Sequence, residues 1–420
     1  MRILVIGGGA REHAICWKIR QNPEVEKIYC VPGNGGIAEI AECPPVSAAD
    51  FRQLGRFVWE NSIDFTIVGP EQPLVDGIVD YFQAHDYPVF GPNKAASQLE
   101  GSKIFTKRLL AKYNIPTAEY REFDIVADAL AYLNSLPEQP IVVKADGLAA
   151  GKGAIVCPDL AAAKTAIDEM MTQRVFADAG SRVVIEEFMT GEECSIFVIT
   201  DGKDYVTLTP AQDFKRALDG DNGKNTGGMG SYAPTPFLTE TLKKQAVERV
   251  VEPTLDALRR EGIDYTGVLY CGLMLTKDGP KVVEFNCRFG DPETQVVLPL
   301  LKTDLLEIMQ AVTRKELGKL DVELHDRHAA CVVLASGGYP DAYEKGKIIT
   351  GLDQLDSNVM AFHAGTTLDG GKLVSNGGRV LGITATGNSL AEAIATAYRG
   401  VDKVHFEGMH FRTDIAKRAL

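Results

Sequence analysis

The chain has 420 residues, enough for about three domains at roughly 150 residues each. Its 44 Lys and Arg against 57 Asp and Glu leave a net charge of −13, which argues against a phosphate-backbone, nucleic-acid partner. With 45% apolar and 24% charged residues, global disorder is excluded, and no stretch approaches the ~20 apolar residues of a membrane span.

The first hundred residues alternate strand and helix. Ile3–Ile6 is an apolar strand, and Arg11–Gln21 reads as a helix stopped by Pro23. Lys27–Val31 is a second strand. A helix capped by Ser47, with Asp50 in the capping-box position, runs to Glu60. Thr66–Val68, Leu74–Ala84 and Pro88–Phe90 follow as strand, helix and strand. Repeated βα units imply a parallel, doubly wound sheet with its ligand loops at the strand C-termini. A long helix over Ala95–Tyr113 bridges into the next unit. Strands Ile141–Lys144 and Ala154–Cys157 flank a glycine loop at 147–153, and Arg182–Phe188 is another strand. Residues 200–240 are rich in loops. Thr239–Glu261 is a long helix, and Val268–Leu275 and Lys281–Phe285 pair through Lys277-Asp278-Gly279-Pro280. A last unit starts with a strand at 329–335 and carries a helix near 390–399. The chain ends at Leu420, so no further domain is expected.

The eight cysteines are never closer than 13 residues apart and form no CxxC pair, which fits a reducing cytoplasm rather than a disulfide or zinc framework. No HExxH is present, and no signal peptide is expected at the start.

Three glycine clusters carry the chemistry. Gly7-Gly8-Gly9-Ala10-Arg11-Glu12 follows a strand and opens a helix, but Glu12 stands where a dinucleotide fingerprint needs its third glycine. The second strand ends Tyr29-Cys30-Val31-Pro32, without the acid that would hold a ribose, so nicotinamide binding is disfavoured. A tight turn and an anion site at a helix start both remain open. Lys144-Ala-Asp-Gly147-Leu-Ala-Ala-Gly151-Lys152-Gly153 has three residues between its first two glycines, not the four of a P-loop, and a strand follows. It is a small hairpin with two cations, suited to folding over a triphosphate or to nothing more than a turn. Asp213-Phe-Lys-Arg216 and Asn225-Thr-Gly-Gly-Met-Gly230 lie in the loop-rich stretch and suit an anion, although solvated loop explains them equally.

Glu284-Phe-Asn-Cys-Arg288 is the sharpest local signal. In a strand Glu284, Asn286 and Arg288 share one face while Phe285 and Cys287 face the core. Two oxygen ligands would suit Mg²⁺, and the guanidinium would suit a transferring phosphoryl group. A polar strand face with an internal ion pair is the plainer reading. Asp291 and Glu293 follow at once.

Together these segments resemble the ATP-grasp ligases. More narrowly the chain resembles the glycinamide ribonucleotide synthetase (phosphoribosylamine–glycine ligase) family from end to end. The likeness runs through Gly-Gly-Gly-Ala-Arg-Glu-His13, Pro32-Gly-Asn-Gly-Gly36, Val68-Gly-Pro-Glu71, Leu99-Glu-Gly-Ser-Lys103, Asn225–Gly230, Phe289–Glu293 and Asn376-Gly-Gly-Arg379. It implies an α/β and α+β multidomain chain: a doubly wound domain over 1–102, an ATP-grasp domain over 103–325 and a C-terminal α+β domain over 326–420. The ATP-grasp domain would divide into a lid (about 121–190) and a main part (about 191–325).

It also implies ATP as substrate with Mg²⁺ or Mn²⁺. Glycine and 5-phosphoribosylamine would be the other substrates, and the chain would be a monomer or weak dimer without nucleic-acid or membrane partners. Lys103 and Lys144 would meet the ATP phosphates beneath a lid loop containing Gly147, Gly151 and Gly153. Glu186, Glu187 and Met189 would meet adenine, and Glu193 the ribose. Glu284 and Asn286 would bind metal. Gly9, Arg11, Glu12, His13, Gly33, Asn34 and Glu71 would help hold phosphoribosylamine. Asp213, Lys215, Arg216, Asn225, Gly227 and Asp291 would shape the glycine and acyl-phosphate site. The catalytic set would be Arg288, Lys144, Asp213 and Lys215, with Arg288→Ala keeping the fold but losing turnover. Phe214 stands where the family pattern has His, and Ala10 where a fourth glycine is frequent. An ATP-grasp carboxylase or formate-using transformylase is the alternative, and a non-catalytic nucleotide-binding regulator a more distant one.

Overall fold

The computed structural model describes residues 1–149 and 151–420. Its first sheet is parallel, in the order Lys27–Pro32, Arg2–Gly7, Phe65–Val68, Val89–Phe90. Successive side chains of the central strand enter different cores: Ile3 and Val5 one, Leu4 and Ile6 the other, all fully buried. Burial on both faces is why that strand reads as an unbroken apolar run.

An antiparallel lid sheet comes next, in the order Tyr120–Phe123, Val183–Glu187, Ile141–Ala145, Ala154–Cys157. It has its own small core around Leu133, Val143, Ala163 and Met170. The central sheet orders Tyr205–Thr207, Glu192–Thr200, Gly267–Thr276 and Gly279–Asn286. The last large sheet joins Gln212–Asp213 and Gly230–Ala233 to His328–Ala335, Arg379–Gly387 and Val359–His363. Its strands come from both sides of the line drawn at 325/326, so the C-terminal unit is built onto the central one. One apolar cluster runs from Ile3 through Phe197 and Tyr270 to Cys331 and Phe362, which ties the units together.

Three helices differ from the sequence reading. The helix ending at Glu60 begins at Phe51, capped by the Asp50 carboxylate, which accepts from Gln53 N at 3.0 Å; Ser47 lies before it. Leu74–Ala84 is interrupted: Glu71–Asp76 and Ile78–Gln83 meet at Gly77, whose φ of +97° few other residues adopt. Ala95–Tyr113 is broken at extended Ser102, whose hydroxyl caps a second helix, Lys103–Lys112. The second break places Lys103 at a helix start beside the cleft described below. The stretch 200–240 also contributes core, with Ala211, Phe214, Ala217 and Met229 buried.

Candidate active site

A cleft of about 450 Å³ opens where the lid sheet and central sheet face each other, closed off by parts of the first and last units. Its lining contains seven cations and nine acids. Lys103, Lys144, Gly151, Gly153, Glu186, Glu187, Met189, Glu193, Asp213, Lys215, Asn225, Gly227, Glu284, Asn286, Arg288 and Asp291 all line it, with Arg11 and Glu71 from the first unit. Of the lid loop, Ala150 lies outside the described residues.

A lid strand supplies the cation Lys144, and the helix Lys103–Lys112 supplies Lys103 and Lys107. Lys144, nearly buried, is held by Glu186 at 2.9 Å and donates to the Val283 carbonyl at 2.9 Å. Lys107 reaches the same Glu186 oxygen at 3.1 Å. Burial, against the pull of Glu186, lowers Lys107 to about 8. The other Glu186 oxygen, Oε1, is buried with no hydrogen-bond partner among the described residues. Such an orphan acceptor is costly unless a ligand donor meets it. Lys103 differs from the other two lysines, with no carboxylate within ion-pair distance among the described residues. Burial lowers its pKa, with Glu284 the main opposing influence.

The acids cluster at the other end. Burial would raise Glu284, but Lys215, Lys144 and Lys103 outweigh it and hold the carboxyl below its ordinary value. Burial lifts Asp213 to about 7 against the pull of Lys215, with Glu293, Glu193 and Glu284 adding to the rise. Lys215 itself is raised, because Glu193 and Asp213 outweigh its burial. It is ion-paired with Glu193.

Arg288 lies just past the strand that carries Glu284 and Asn286. Its Nε donates to Glu71 at 3.1 Å, Nη2 to Glu100 at 2.8 Å and Asn286 at 3.2 Å, and Nη1 to the Phe289 carbonyl at 3.1 Å. One of its five N–H groups is left over. Burial would raise Glu71, but Arg288 and then Arg11 bring it down to about 2. The expectation that Arg288→Ala would leave the fold intact is therefore revised, because removal strands buried Glu100 without a counter-charge.

The glycine loop of the first unit is used differently. Gly9, Glu12, His13, Gly33 and Asn34 do not line the cleft. The Glu12 carboxylate accepts from Gly9 N at 2.7 Å and from Arg11 Nε at 2.6 Å, so it caps its own helix. Asn34 donates to Gly8 O at 2.9 Å and His363 O at 2.6 Å, and accepts from Gly36 N and Ile37 N. His13 is buried and accepts from the His363 amide at 2.8 Å through Nδ1, with burial lowering its pKa to about 3. Gly33 N donates to Gly7 O at 3.2 Å, which extends the ladder between the first two parallel strands. Gly147 N donates to Ala179 O within the lid, and Arg216 Nη1 donates to Gly223 O at 2.9 Å. Neither residue lines the cleft.

Phe214 is explained by its neighbours. Asp213 and Lys215 face the cleft, and Phe214 between them turns into the C-terminal core against Tyr232 and beneath the Arg412 guanidinium, 4.9 Å from its ring. An aromatic ring at this position packs rather than reacts.

Sequence reasoning missed several residues. Glu100 accepts from Cys287 N at 2.8 Å and holds Arg288. Asp146 binds the Ser102 hydroxyl, Ile104 N at 2.8 Å and Arg182 at 2.5 Å, and so joins the Lys103 helix to the lid. Lys107 and Arg379 line the cleft as well. Glu100, Lys103 and Arg379 stood in quoted motifs, but only Lys103 had been given a role.

The donors suit a divalent cation. Glu284 is ionised and Asn286 offers an amide oxygen on the same strand face, both in the cleft. Among the described residues no cluster of three or more His, Cys, Asp or Glu could cage a metal. Mg²⁺ needs no such cage, since it keeps waters and takes substrate phosphates. No helix of the described residues is long and apolar enough to cross a membrane.

Comparison with known proteins is consistent along the whole chain. Models of phosphoribosylglycinamide synthetase match in three parts: the N domain over residues 1–100, the ATP-grasp (A) domain over 101–294 and the C domain over 329–418. Phosphoribosylamine–glycine ligase of Caldanaerobacter subterraneus subsp. tengcongensis is 50% identical over 416 residues, 99% of each chain. That of Vibrio cholerae is 48% identical over 424 residues, covering 100% of this chain and 99% of its own. The crystal structure of phosphoribosylamine–glycine ligase from Thermotoga maritima superposes with a TM-score of 0.84 at 35% identity, covering 99% of this chain and 100% of its own. Biotin carboxylase of Campylobacter jejuni, at 14% identity and a TM-score of 0.73, shares the fold alone.

Proposed function

The chain belongs to the phosphoribosylglycinamide synthetase family, an ATP-grasp family, and from that premise we propose that it ligates glycine to 5-phosphoribosylamine. ATP is converted to ADP and phosphate, and the product, glycinamide ribonucleotide, belongs to the second step of de novo purine synthesis. The observation that carries the reading is the cleft itself: Lys103, without an ion pair among the described residues, Lys144 under a glycine hairpin, and Glu284, Asn286 and Arg288 on one wall. The carboxylase alternative is not favoured, since a biotin carboxylase is 14% identical, a pyruvate carboxylase 15% and an N5-carboxyaminoimidazole ribonucleotide synthetase 17%, against 50% for the Caldanaerobacter ligase.

The chemistry assigns work to each part. Lys103 and Lys144 neutralise the triphosphate, and Glu186 Oε1 accepts from the adenine amino group, which supplies its missing partner. Glu187 and the Met189 backbone border the base, and Glu193 exchanges Lys215 for the ribose hydroxyls. Glu284 and Asn286 would hold Mg²⁺ or Mn²⁺, which neutralises phosphate oxygens when bound. A glycine carboxylate oxygen attacks the γ-phosphorus, and ADP leaves. The resulting glycyl phosphate is attacked at its acyl carbon by the amine, the acyl C–O bond breaks and phosphate departs. Asp213, held near 7, takes the proton that the amine loses. Arg288 supplies fixed positive charge and one free N–H rather than an open fork. The 147–153 loop excludes water from the acyl phosphate, with Lys152 already reaching the Pro340 carbonyl at 3.1 Å. Free cysteines, seven of eight buried, suit a reducing cytoplasm as the working compartment.

The test is ADP release with Mg²⁺, ATP and glycine, with and without phosphoribosylamine generated in place, and products read by mass. Glycinamide ribonucleotide formed in step with ADP supports the ligase. ADP formed only with another carboxylate defeats it.

A further inference from the structure

Of the three arginines that line the cleft, Arg288 and Arg379 have opposite hydrogen-bond inventories. Arg288 spends four of its five N–H groups on protein oxygens. Arg379, which starts a strand of the C-terminal unit, uses only Nη1, donating to Gly227 O at 2.6 Å and Asp291 O at 2.8 Å. Among the described residues its Nε and Nη2 have no partner, and neither atom is among those sealed from solvent without one. The same side chain lines the cleft. A Cβ at Gly227 would lie 2.9 Å from its Cζ and 3.1 Å from Nη2, so the turn at 225–228 must stay bare to admit the guanidinium plane. Asp291 Oδ1, 3.4 Å from Nη1 and held by Gln295 at 2.8 Å, partly balances the charge on the Nη1 side only.

A guanidinium clamped along one edge and open along the other is a receiver for a planar or tetrahedral oxyanion, which it meets with two parallel N–H bonds. Resting on the ligase reading above, we propose that the Nε/Nη2 edge of Arg379 binds the oxyanion of an acceptor-side substrate. That group is either the carboxylate of glycine or the 5-phosphate of phosphoribosylamine. The nucleotide has its own cations, Lys103 and Lys144, under the lid. The C-terminal unit thereby supplies a substrate-binding side chain and does more than brace the fold.

The test is Arg379→Lys, which keeps a cation near the Gly227 and Asp291 carbonyls but removes the two-pronged edge. The expected result is a rise of roughly tenfold or more in one acceptor-substrate KM, with the KM for ATP and the melting temperature unchanged. A rise for glycine identifies the carboxylate. A rise for phosphoribosylamine, with weakened binding of ribose 5-phosphate by calorimetry, identifies the phosphate. Unchanged values for both substrates, or a fall in kcat and melting temperature with every KM unchanged, would overturn the proposal. Should the variant not fold, modification of wild-type Arg379 by butanedione, located by mass, gives the answer instead. Saturating glycine or ribose 5-phosphate slows it if the edge is a receptor, and equal rates overturn the idea. This protection is read whether or not glycinamide ribonucleotide forms, so failure of the ligase reading shows separately in the wild-type product.

Discussion

Two glycine loops looked alike as strings of residues and turn out to be built for different work. The lid hairpin between Lys144 and Gly153 faces the cleft, and among its glycines Gly151 has nothing within 4 Å of where a side chain would stand. Around the loop at Gly7–His13 only Arg11 reaches the cleft, and the other polar groups meet protein partners: Glu12 caps its own helix, Asn34 ties Gly8 to His363, and His13 is buried against the last unit. Glycine in the first case leaves room for a ligand. In the second it lets backbone approach backbone, as at Gly8, where a Cβ would sit 2.5 Å from Gly33 O.

Substitutions can break this contrast. Lys103→Ala should lower kcat by roughly 10²–10³, the usual loss for one preorganised electrostatic contact, with an unchanged melting temperature because Lys103 has no ion pair among the described residues to lose. A thermal shift with normal turnover would put Lys103 among the structural residues. Arg288→Ala should differ from it by losing turnover and about 3–5 kcal/mol of stability together, as buried Glu100 loses its counter-charge. Urea unfolding reads that difference, and unchanged stability would contradict the pairing. Asn34→Ala should do the reverse of Lys103→Ala, costing about 1–3 kcal/mol through orphaned backbone groups while kcat and KM stay within a few-fold. A raised KM for phosphoribosylamine at full stability would return the first loop to the ligand-binding class.

Acidity sharpens the same line. Burial lowers His13 to about 3 and His363 to about 4 from 6.5, so both are neutral in the fold. Their stabilising contribution is complete above pH 6.5 and is lost as pH falls through about 4, since the unfolded chain takes up the protons first. His13→Gln should flatten that fall in urea midpoint between pH 7 and pH 5, and an equally steep fall would remove His13 as its cause. Asp213 has the opposite sign. Its folded value near 7 lies above 3.8, so its contribution is greatest below pH 3.8 and disappears as pH rises through 7. Without metal or nucleotide, Asp213→Asn should gain stability relative to the wild type above pH 7, the smallest of these effects, read by the same unfolding series.

Alternation and spacing made the doubly wound sheet, the lid hairpin and the Glu284–Arg288 wall legible, because those signals are local. The helix breaks at Gly77 and Ser102 were hidden, since long apolar periodicity outweighed one glycine and one serine. What was missed in the site depends on distant partners. Glu100 matters because Cys287 and Arg288 reach it from nearly two hundred residues away, and Asp146 because it meets Ser102 and Ile104 across the lid. Phe214 could be judged only after the strand placed it on the core side of Asp213 and Lys215.

The central claim is that the cleft activates glycine as an acyl phosphate, and oxygen tracing tests it most directly. Glycine labelled with ¹⁸O in its carboxylate is turned over with ATP and phosphoribosylamine, and the released phosphate is read by mass. The account predicts one glycine oxygen in each phosphate, with the other retained in the new amide. Unlabelled phosphate accompanying normal product would contradict it.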